Sequence, residues 1–336
     1  MKNNNIAIFI FTKDRPLSLK RALNSIKCLQ INKYIFDDSY YNINQKKNQK
    51  TTSTIKNACY IGKSEFDNFT LQNRIEISDN TSLLRRFGNK KWNLGYVRNF
   101  ALLFAKSLCI DEVLFMDDDI ELIETELVND SFSLLGNYDF VGAHITGMAD
   151  DSILGYVSKE LDMIENDRML SGGFLLFNPL KINIPFTNFY NEDWIWLYLQ
   201  SKDNKYIQKG EVIQSLCNPF VNYKDRIIFQ EFGEIIIDGI LEIYKNDTFE
   251  KLMYESYWEV VLNERIEYLN QLHSLSKQRN ERLFLEMINW VLINYSQFHS
   301  GLFANTFKTF FNNVQVLQEL YSLCNQNSEA QIQYCF

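Results

Sequence analysis

The sequence predicts an α/β fold, a mostly parallel central sheet flanked by helices, with a helical C-terminal extension. Three observations point to it. Residues 113–116 form a short apolar run without helical spacing that ends abruptly in Asp117, Asp118 and Asp119. Such a run reads as a buried central strand, and ligands of open α/β folds bind at strand ends. Upstream, the run 6–11, the helically spaced Leu19, Ala22, Leu23 and Ile26, and the run 33–36 follow one another as strand, helix and strand. That order makes a right-handed β-α-β unit with parallel strands. Beyond about Tyr223 the apolar residues recur at helical spacing instead.

Taken in order, the first strand leads through Thr12-Lys13-Asp14-Arg15 into a helix with Pro16 near its start, where a missing amide hydrogen costs least. The second strand ends at Asp37-Asp38-Ser39. Residues 42–56 are rich in Asn, Gln, Lys, Thr and Ser, and read as a polar loop or insertion. A further strand is expected around residues 74–77. Val97, Ala101, Leu102, Phe104, Ala105 and Leu108 fit a helix packed on the sheet and leading into the acidic strand. Residues 139–145 read as another strand, and Ser171-Gly172-Gly173 as a tight backbone before the strand 174–177. Asn191-Glu192-Asp193 opens an aromatic helix, with Asn191 or an acid as its cap. Three stripes follow: Phe249, Leu252, Met253, Val260 and Val261; Leu283, Met287, Trp290 and Val291; and Phe307, Phe310, Phe311, Val314, Leu317 and Tyr321. The expected division is an α/β domain over 1–230 and a helical extension over 231–336 that buries one face on that domain or on a second subunit.

Composition excludes several classes. With 336 residues, 46% of them hydrophobic and 15% aromatic, the chain can bury a sizeable core. A formal net charge of −8 and no evident basic stripe interleaved with aromatics disfavour a nucleic-acid partner. Six scattered cysteines without Cys-x-x-Cys spacing indicate neither a zinc site nor a disulfide framework, and reduced thiols suit a cytoplasmic protein. Only His144, His273 and His299 are present, none in a nucleophile motif. No segment reaches the eighteen or so apolar residues of a membrane span; peripheral attachment to a membrane needs none and stays open.

Three adjacent aspartates need a physical reason. Two like charges about 6 Å apart repel by nearly 3 kcal/mol at an effective dielectric of about 20. A hard divalent cation would remove that cost, and Mg²⁺ typically takes one or two protein carboxylates with water and phosphate oxygens. On an extended backbone Asp117 and Asp119 share a face and Asp118 points the other way. The plainer alternative is an inert acidic turn.

Four islands then stand in a telling order: residues 6–16; residues 34–39; Asn93-Leu94-Gly95-Tyr96-Val97-Arg98-Asn99 shortly before the acidic strand; and Gly172-Gly173 with Glu192-Asp193. Together they resemble the nucleotide-sugar glycosyltransferases of the GT-A fold, especially family 2, over roughly the first two-thirds of the chain. The resemblance implies a Rossmann-like sheet and a sugar donor activated by a nucleoside diphosphate, most simply a UDP-sugar. It places Thr12, Arg15, Asp37 and Asp38 on the nucleotide, Arg98 beside the diphosphate with Gly95 allowing close backbone approach, and Asp117 and Asp118 on ribose and donor. Asp119, with Asp117, would hold Mn²⁺ or Mg²⁺. Gly172, Gly173 and Trp194 fall on the acceptor side, with Asp193 as general base and Glu192 orienting it. Family members often add a histidine ligand after the Glu-Asp pair, whereas here none lies between Asp193 and His273.

Each position has a plainer reading beside this one. Asp37 and Asp38 can close an Asx turn on Ser39; Arg98 can be a solvated helix residue; Trp194 and Trp196 can be core; Glu192 and Asp193 can simply favour a helix N-terminus. The expected reaction is sugar transfer with inversion to a carbohydrate, lipid-linked or peptide acceptor. Retention, or a catalytically silent binding module, are the alternatives. The helical tail is a candidate surface for a homo-oligomer. Pyrophosphorylase-type nucleotidyltransferases and dinucleotide oxidoreductases fit less well, because the loop after the first strand lacks glycine and no Gly-x-Gly-x-x-Gly occurs.

Overall fold

The first strand, β1 (Ile6–Thr12), is buried on both faces, as its unbroken apolar run requires. It lies between two parallel neighbours, β2 (Asn32–Asp37) and β4 (Glu112–Asp117), in register Phe11 to Phe36 and Phe11 to Asp117. The computed structural model describes residues 5–65, 94–147, 152–163, 170–201, 204–215, 220–244 and 248–326. The strand expected around 74–77 and Asn93 lie outside them.

β3 (Ala58–Ile61) extends the parallel half beyond β2. On the other side, β7 (Phe174–Phe177) runs antiparallel to β4, followed by β6 (Phe140–Gly147), β8 (Tyr206–Gln214) and the short β5 (Ile120–Leu122). The order is β3-β2-β1-β4-β7-β6-β8-β5. The four parallel strands put their C-terminal ends on one edge. Because β7 is antiparallel to β4, with Met116 opposite Phe174, the Gly172-Gly173 turn arrives at that same edge.

Period-two alternation divides the core. Ala7, Phe9, Phe11, Val113 and Phe115 face one layer, and Ile8, Ile10, Leu114 and Met116 the other. The second layer is covered by α1 (Pro16–Ser25), through Leu19, Ala22 and Leu23, and by α4 (Glu126–Leu134). The first is covered by α3 (Leu94–Ser107), α5 (Ile153–Glu160) and α6 (Glu192–Ser201). α1 begins at Pro16, as expected.

Residues 42–52, expected to be a loop, form a helix, α2 (Asn42–Thr52). No apolar stripe announces it, because its inward face is polar: Asn48 and Thr52 are its buried residues, and Asn48 Nδ2 donates to Asp37.

The C-terminal helices α7 (Ile227–Tyr244), α8 (Glu255–Gln278), α9 (Arg282–Asn294) and α10 (Ser300–Gln326) continue the first core layer without a break. Trp258 stacks on Phe303 and Phe307, and Gly233 of α7 lies so close to the Tyr190 backbone that a Cβ would stand 2.4 Å from its carbonyl oxygen. Arg265 of α8 donates to both oxygens of Glu231 and to Asp238, and Asn191 Nδ2 donates to Glu234. Residue 230 falls inside α7. Of the expected stripes, Val260 and Leu283 are exposed while Leu252, Val261, Met287, Val291 and Phe307 are buried; the side chains of Leu317 and Tyr321 lie outside the described residues. No helix among the described residues is long and apolar enough to cross a membrane.

Candidate active site

The extended backbone of β4 stops at Asp117, and Asp118-Asp119 form a turn before β5. The three aspartates therefore fan out, and the face-sharing of Asp117 and Asp119 expected for an extended strand does not hold. Asp117 continues the Val113-Phe115 face toward α3 and α6. There Arg98 Nη2 donates to its Oδ1 at 3.0 Å. Asp118 is fully buried beneath the β1 end, where Thr12 Oγ1 donates to Oδ2 at 2.6 Å and Arg15 Nη2 pairs with Oδ1 at 2.6 Å. Arg15 Nη1 reaches Asp119 Oδ2, also at 2.6 Å.

Arg98 is the hub of the other half. It is 1% exposed and donates to Glu192 Oε1 at 2.9 Å, to Asp117, and weakly to the Gly172 carbonyl. The rings of Phe11 and Phe186 lie 5.5 and 5.7 Å from its guanidinium carbon, a favourable contact for a buried cation. The buried carboxyl of Glu192 at the helix start and the largely covered one of Asp117 at the strand end call for such a cation. Arg98, expected beside a donor diphosphate, directs both Nη atoms to partners inside the protein, while its buried Nε has no hydrogen-bond partner.

Gly95 and Asn99 serve the same strut. A Cβ on Gly95 would stand 1.8 Å from the Thr187 carbonyl oxygen, so the close approach expected of this glycine is to the 186–188 backbone. Asn99 Nδ2 donates to the Phe186 carbonyl at 2.8 Å, and its Oδ1 accepts from the Phe186 amide at 2.7 Å. Together they hold the segment that delivers α6.

At the start of α6, Glu192 is buried and Asp193 is half-buried. Asp193 Oδ2 accepts from the Gly172 amide at 2.8 Å and Oδ1 from the Trp194 amide at 2.9 Å. A Cβ on Gly172 would meet Asp193 Cβ at 2.6 Å, so only glycine lets this turn donate to the carboxylate. The Gly173 carbonyl accepts from the Asp117 amide, tying turn to strand end. Asn191, with φ of 63°, turns its side chain to Glu234 rather than capping α6. Trp194 is 9% exposed and part of the core, and Trp196 is buried against Phe186, so the expected acceptor-stacking surface on Trp194 gives way to core packing on an apolar helix.

The β2 end separates its two acids. Asp37 is buried with its acceptors filled by the Ser39 amide, Asn48 Nδ2 and the Tyr60 hydroxyl, which is the Asx turn of the plainer reading. Asp37, expected on the nucleotide, thus spends its carboxylate on these internal donors. Asp38 remains partly open, accepting from Lys13 Nζ at 2.7 Å. Thr12, expected on the nucleotide, uses its hydroxyl on Asp118.

Asp14 is a residue that sequence reading missed. With φ of 55°, its carboxylate accepts from the Tyr40 and Tyr41 amides and from Asn44 Nδ2, while its own amide donates to Ser39 Oγ. It clasps the loop after β1 to the loop after β2. Burial opposes ionisation, but these donors hold its carboxyl below the usual range. An Asp in a short loop between strand and helix, able to adopt the left-handed region, was the available signal.

Burial dominates the site's electrostatics. It pushes Asp118 up to about 7 against the attraction of Arg15, with Asp119 adding to the rise. It pushes Glu192 up to about 8 against Arg98, with Asp193 adding. Asp117 is raised by burial, with Arg98 opposing. For both arginines burial favours the neutral form, but the surrounding carboxylates outweigh it and hold them charged.

Among the described residues, no three His, Cys, Asp or Glu side chains form a ready cage for a metal ion. Asp119 Oδ1, however, is buried with no hydrogen-bond partner. A carboxylate oxygen left without a donor beside two further aspartates fits a hard divalent ion completed by water and phosphate oxygens.

The chain is thus an α/β domain whose parallel strand ends and acidic helix start converge on one edge, linked in sequence from Asp38 through Thr12, Asp118, Asp117 and Arg98 to Glu192 and Asp193. No protein-family model matches it, and no curated protein does. Among solved structures it is similar to the mannosyltransferase PcManGT of Pyrobaculum calidifontis, in complex with GDP-Man and Mn²⁺, with 11% identity, a TM-score of 0.49, and coverage of 86% of this chain and 85% of that one. It is similar to S. aureus TarS at 15% identity and a TM-score of 0.42, over 87% of this chain but 54% of TarS, so it spans about half the length of that protein. A third, described as a nucleotide-diphospho-sugar transferase of Desulfovibrio desulfuricans G20, has 11% identity and a TM-score of 0.35, with 63% and 82% covered. Nucleotide-sugar glycosyltransferases therefore stand among its structural neighbours.

Proposed function

We propose that this chain is a glycosyltransferase that moves a sugar from a nucleoside-diphosphate donor to an acceptor hydroxyl, with inversion at the anomeric carbon. The observation that carries this reading is the placement of Asp193. It is a half-open carboxylate of the acidic edge, fixed through both oxygens by the Gly172 and Trp194 amides and joined to the β4 end through Gly173 and Arg98.

Asp193 takes the acceptor proton as the new bond to the anomeric carbon forms; the bond from that carbon to the diphosphate oxygen breaks, and nucleoside diphosphate leaves. A carboxylate within hydrogen-bond reach of a hydroxyl performs this role when its own geometry is fixed. Asp38, open at the β2 end, accepts a hydrogen bond from a base N–H, which suits uracil and supports UDP as the carrier. Asp119, with Asp117 beside it, would hold Mn²⁺ or Mg²⁺, whose chemistry when bound is Lewis-acid stabilisation of the leaving diphosphate. Arg98 and Glu192 position Asp117 and the start of α6. Arg15 sets the orientation of Asp118 and Asp119.

The test is a panel of UDP- and GDP-sugars incubated with the full chain, with and without Mn²⁺, and scored by mass spectrometry for nucleoside diphosphate. Metal-dependent release from one donor class is the expected result. Absence of both release and nucleotide binding across the panel would replace this reading with that of a binding module.

A further inference from the structure

The chain is acidic overall, but its charge is unevenly placed. Residues 13–63 hold eleven Lys and Arg against three Asp and no Glu, a surplus of eight in a chain of formal net charge −8. Folding concentrates this further. At 100° per residue, Ile43, Lys46, Lys47 and Lys50 fall within about one-third of the circumference of α2, and all four are exposed while Asn48 and Thr52 point inward. Among the described residues none of these three lysines forms an ion pair, and α2 contains no acidic residue. Immediately before the helix, Tyr40 and Tyr41 are 74% and 55% exposed, their rings edge to face at 5.3 Å, and Ile43 is 64% exposed. Their backbone is not loose, because Asp14 accepts from both tyrosine amides. The absence of a basic stripe expected from the linear sequence therefore does not hold on the folded surface, where helical spacing gathers lysines that look scattered.

We infer that this face of α2 is a docking surface for an anionic lipid bilayer, with Lys46, Lys47 and Lys50 over the phosphate layer and Tyr40, Tyr41 and Ile43 in the interface. Amphipathic aromatics beside a row of lysines match both layers of such a surface, the apolar boundary and the anionic headgroups. A folded nucleic acid or an acidic polysaccharide would be served by the lysines but gives no use for three adjacent exposed apolar side chains. The tyrosines follow directly on Asp38-Ser39 at the end of β2, so docking here would bring the acidic edge close to the membrane plane. The inference stands on the surface and does not depend on the reaction proposed above.

The test is co-sedimentation of the full chain with vesicles of phosphatidylcholine alone and with added phosphatidylglycerol, at low and high salt. Binding only to the anionic vesicles, weakened by salt, is expected. Lys46→Glu/Lys47→Glu/Lys50→Glu should weaken it by about a hundredfold or more, and Tyr40→Ser/Tyr41→Ser should weaken it severalfold without removing the salt dependence. All five positions are solvent-facing, so unchanged melting and circular dichroism would show that the variants fold. Equal binding to neutral vesicles, no binding to either, an unaffected triple variant, or tighter capture by a single-stranded oligonucleotide or an acidic polysaccharide than by the vesicles would each overturn the inference.

Discussion

Arg98→Met separates two accounts of the arginine in the motif before the acidic strand. If it served a donor diphosphate, its loss would leave the fold intact and weaken nucleotide binding. The structure instead puts its guanidinium in the interior, bonded to Asp117 at 3.0 Å and Glu192 at 2.9 Å. Methionine fills much of the same volume but leaves the buried Glu192 carboxyl and the largely covered Asp117 carboxyl without their cation. Removing one partner of a buried ionic group costs about 3–5 kcal/mol, a large share of the roughly 5–15 kcal/mol typical of a folded domain. The cost should shrink at low pH, because both carboxyls can escape it by taking a proton. Urea unfolding at pH 8 and pH 5 measures both effects. Arg98→Lys should fall between, since one ammonium cannot serve two carboxylates as a planar fork does. The triple variant with Asp117→Asn and Glu192→Gln should recover much of the loss, having no uncompensated charge. An Arg98→Met protein within about 0.5 kcal/mol of the parent at pH 8, a surface-substitution effect, would refute the strut and return Arg98 to the ligand.

Three further outcomes are expected. Glu192 has its carboxyl raised to about 8 from 4.5, so between those values the folded state holds more protons than the unfolded one and stability falls as pH rises; Glu192→Gln should flatten that fall in melting temperature between pH 5 and 8, and an unchanged slope would assign it to other groups. Asp193→Asn should keep donor binding and lose transfer by about 10²-fold or more if it is the general base, read from initial rates at saturating donor; full activity would remove that role. Asp119→Ala should make UDP binding indifferent to Mn²⁺ in calorimetric titration while the melting curve stays cooperative, and a preserved metal dependence would move the ion elsewhere.

What could be read from the sequence was whatever one strand or helix decides locally. The acidic end of β4, the entry to α1 at Pro16 and the Gly172-Gly173 turn all follow from runs and punctuation. What could not be read depends on partners distant in the chain. Asn99 looks like any polar helix residue until the Phe186 backbone is placed against it, and Gly95 announces a close approach without naming Thr187. The helix α2 was hidden because its inward contacts are amides and a hydroxyl, which leave no apolar period. Asp37 and Asp38 are chemically identical neighbours; only the positions of Asn48 and Tyr60 make one structural and leave the other open.

The same distinction separates the two halves of the acidic edge. From Asp117 to Asp193 every contact is anchored in buried structure: Arg98 between two carboxylates, Asn99 on the Phe186 backbone, Gly172 against Asp193 with no room for a methyl group. That half is held to one geometry, as a base requires if its oxygen is to meet a hydroxyl at hydrogen-bond distance. Asp118 and Asp119 are instead spanned by Arg15, whose side chain is half exposed and rises from the loop after β1. Thr12 holds Asp118 independently of that arginine, whereas Asp119 keeps one oxygen without a donor. Removal of Arg15 would therefore leave Asp118 bonded to Thr12, and would take from Asp119 the side-chain donor that its Oδ2 has. The proposed base thus lies in the half tied to buried structure, and the proposed metal-binding Asp119 in the half spanned by a half-exposed arginine.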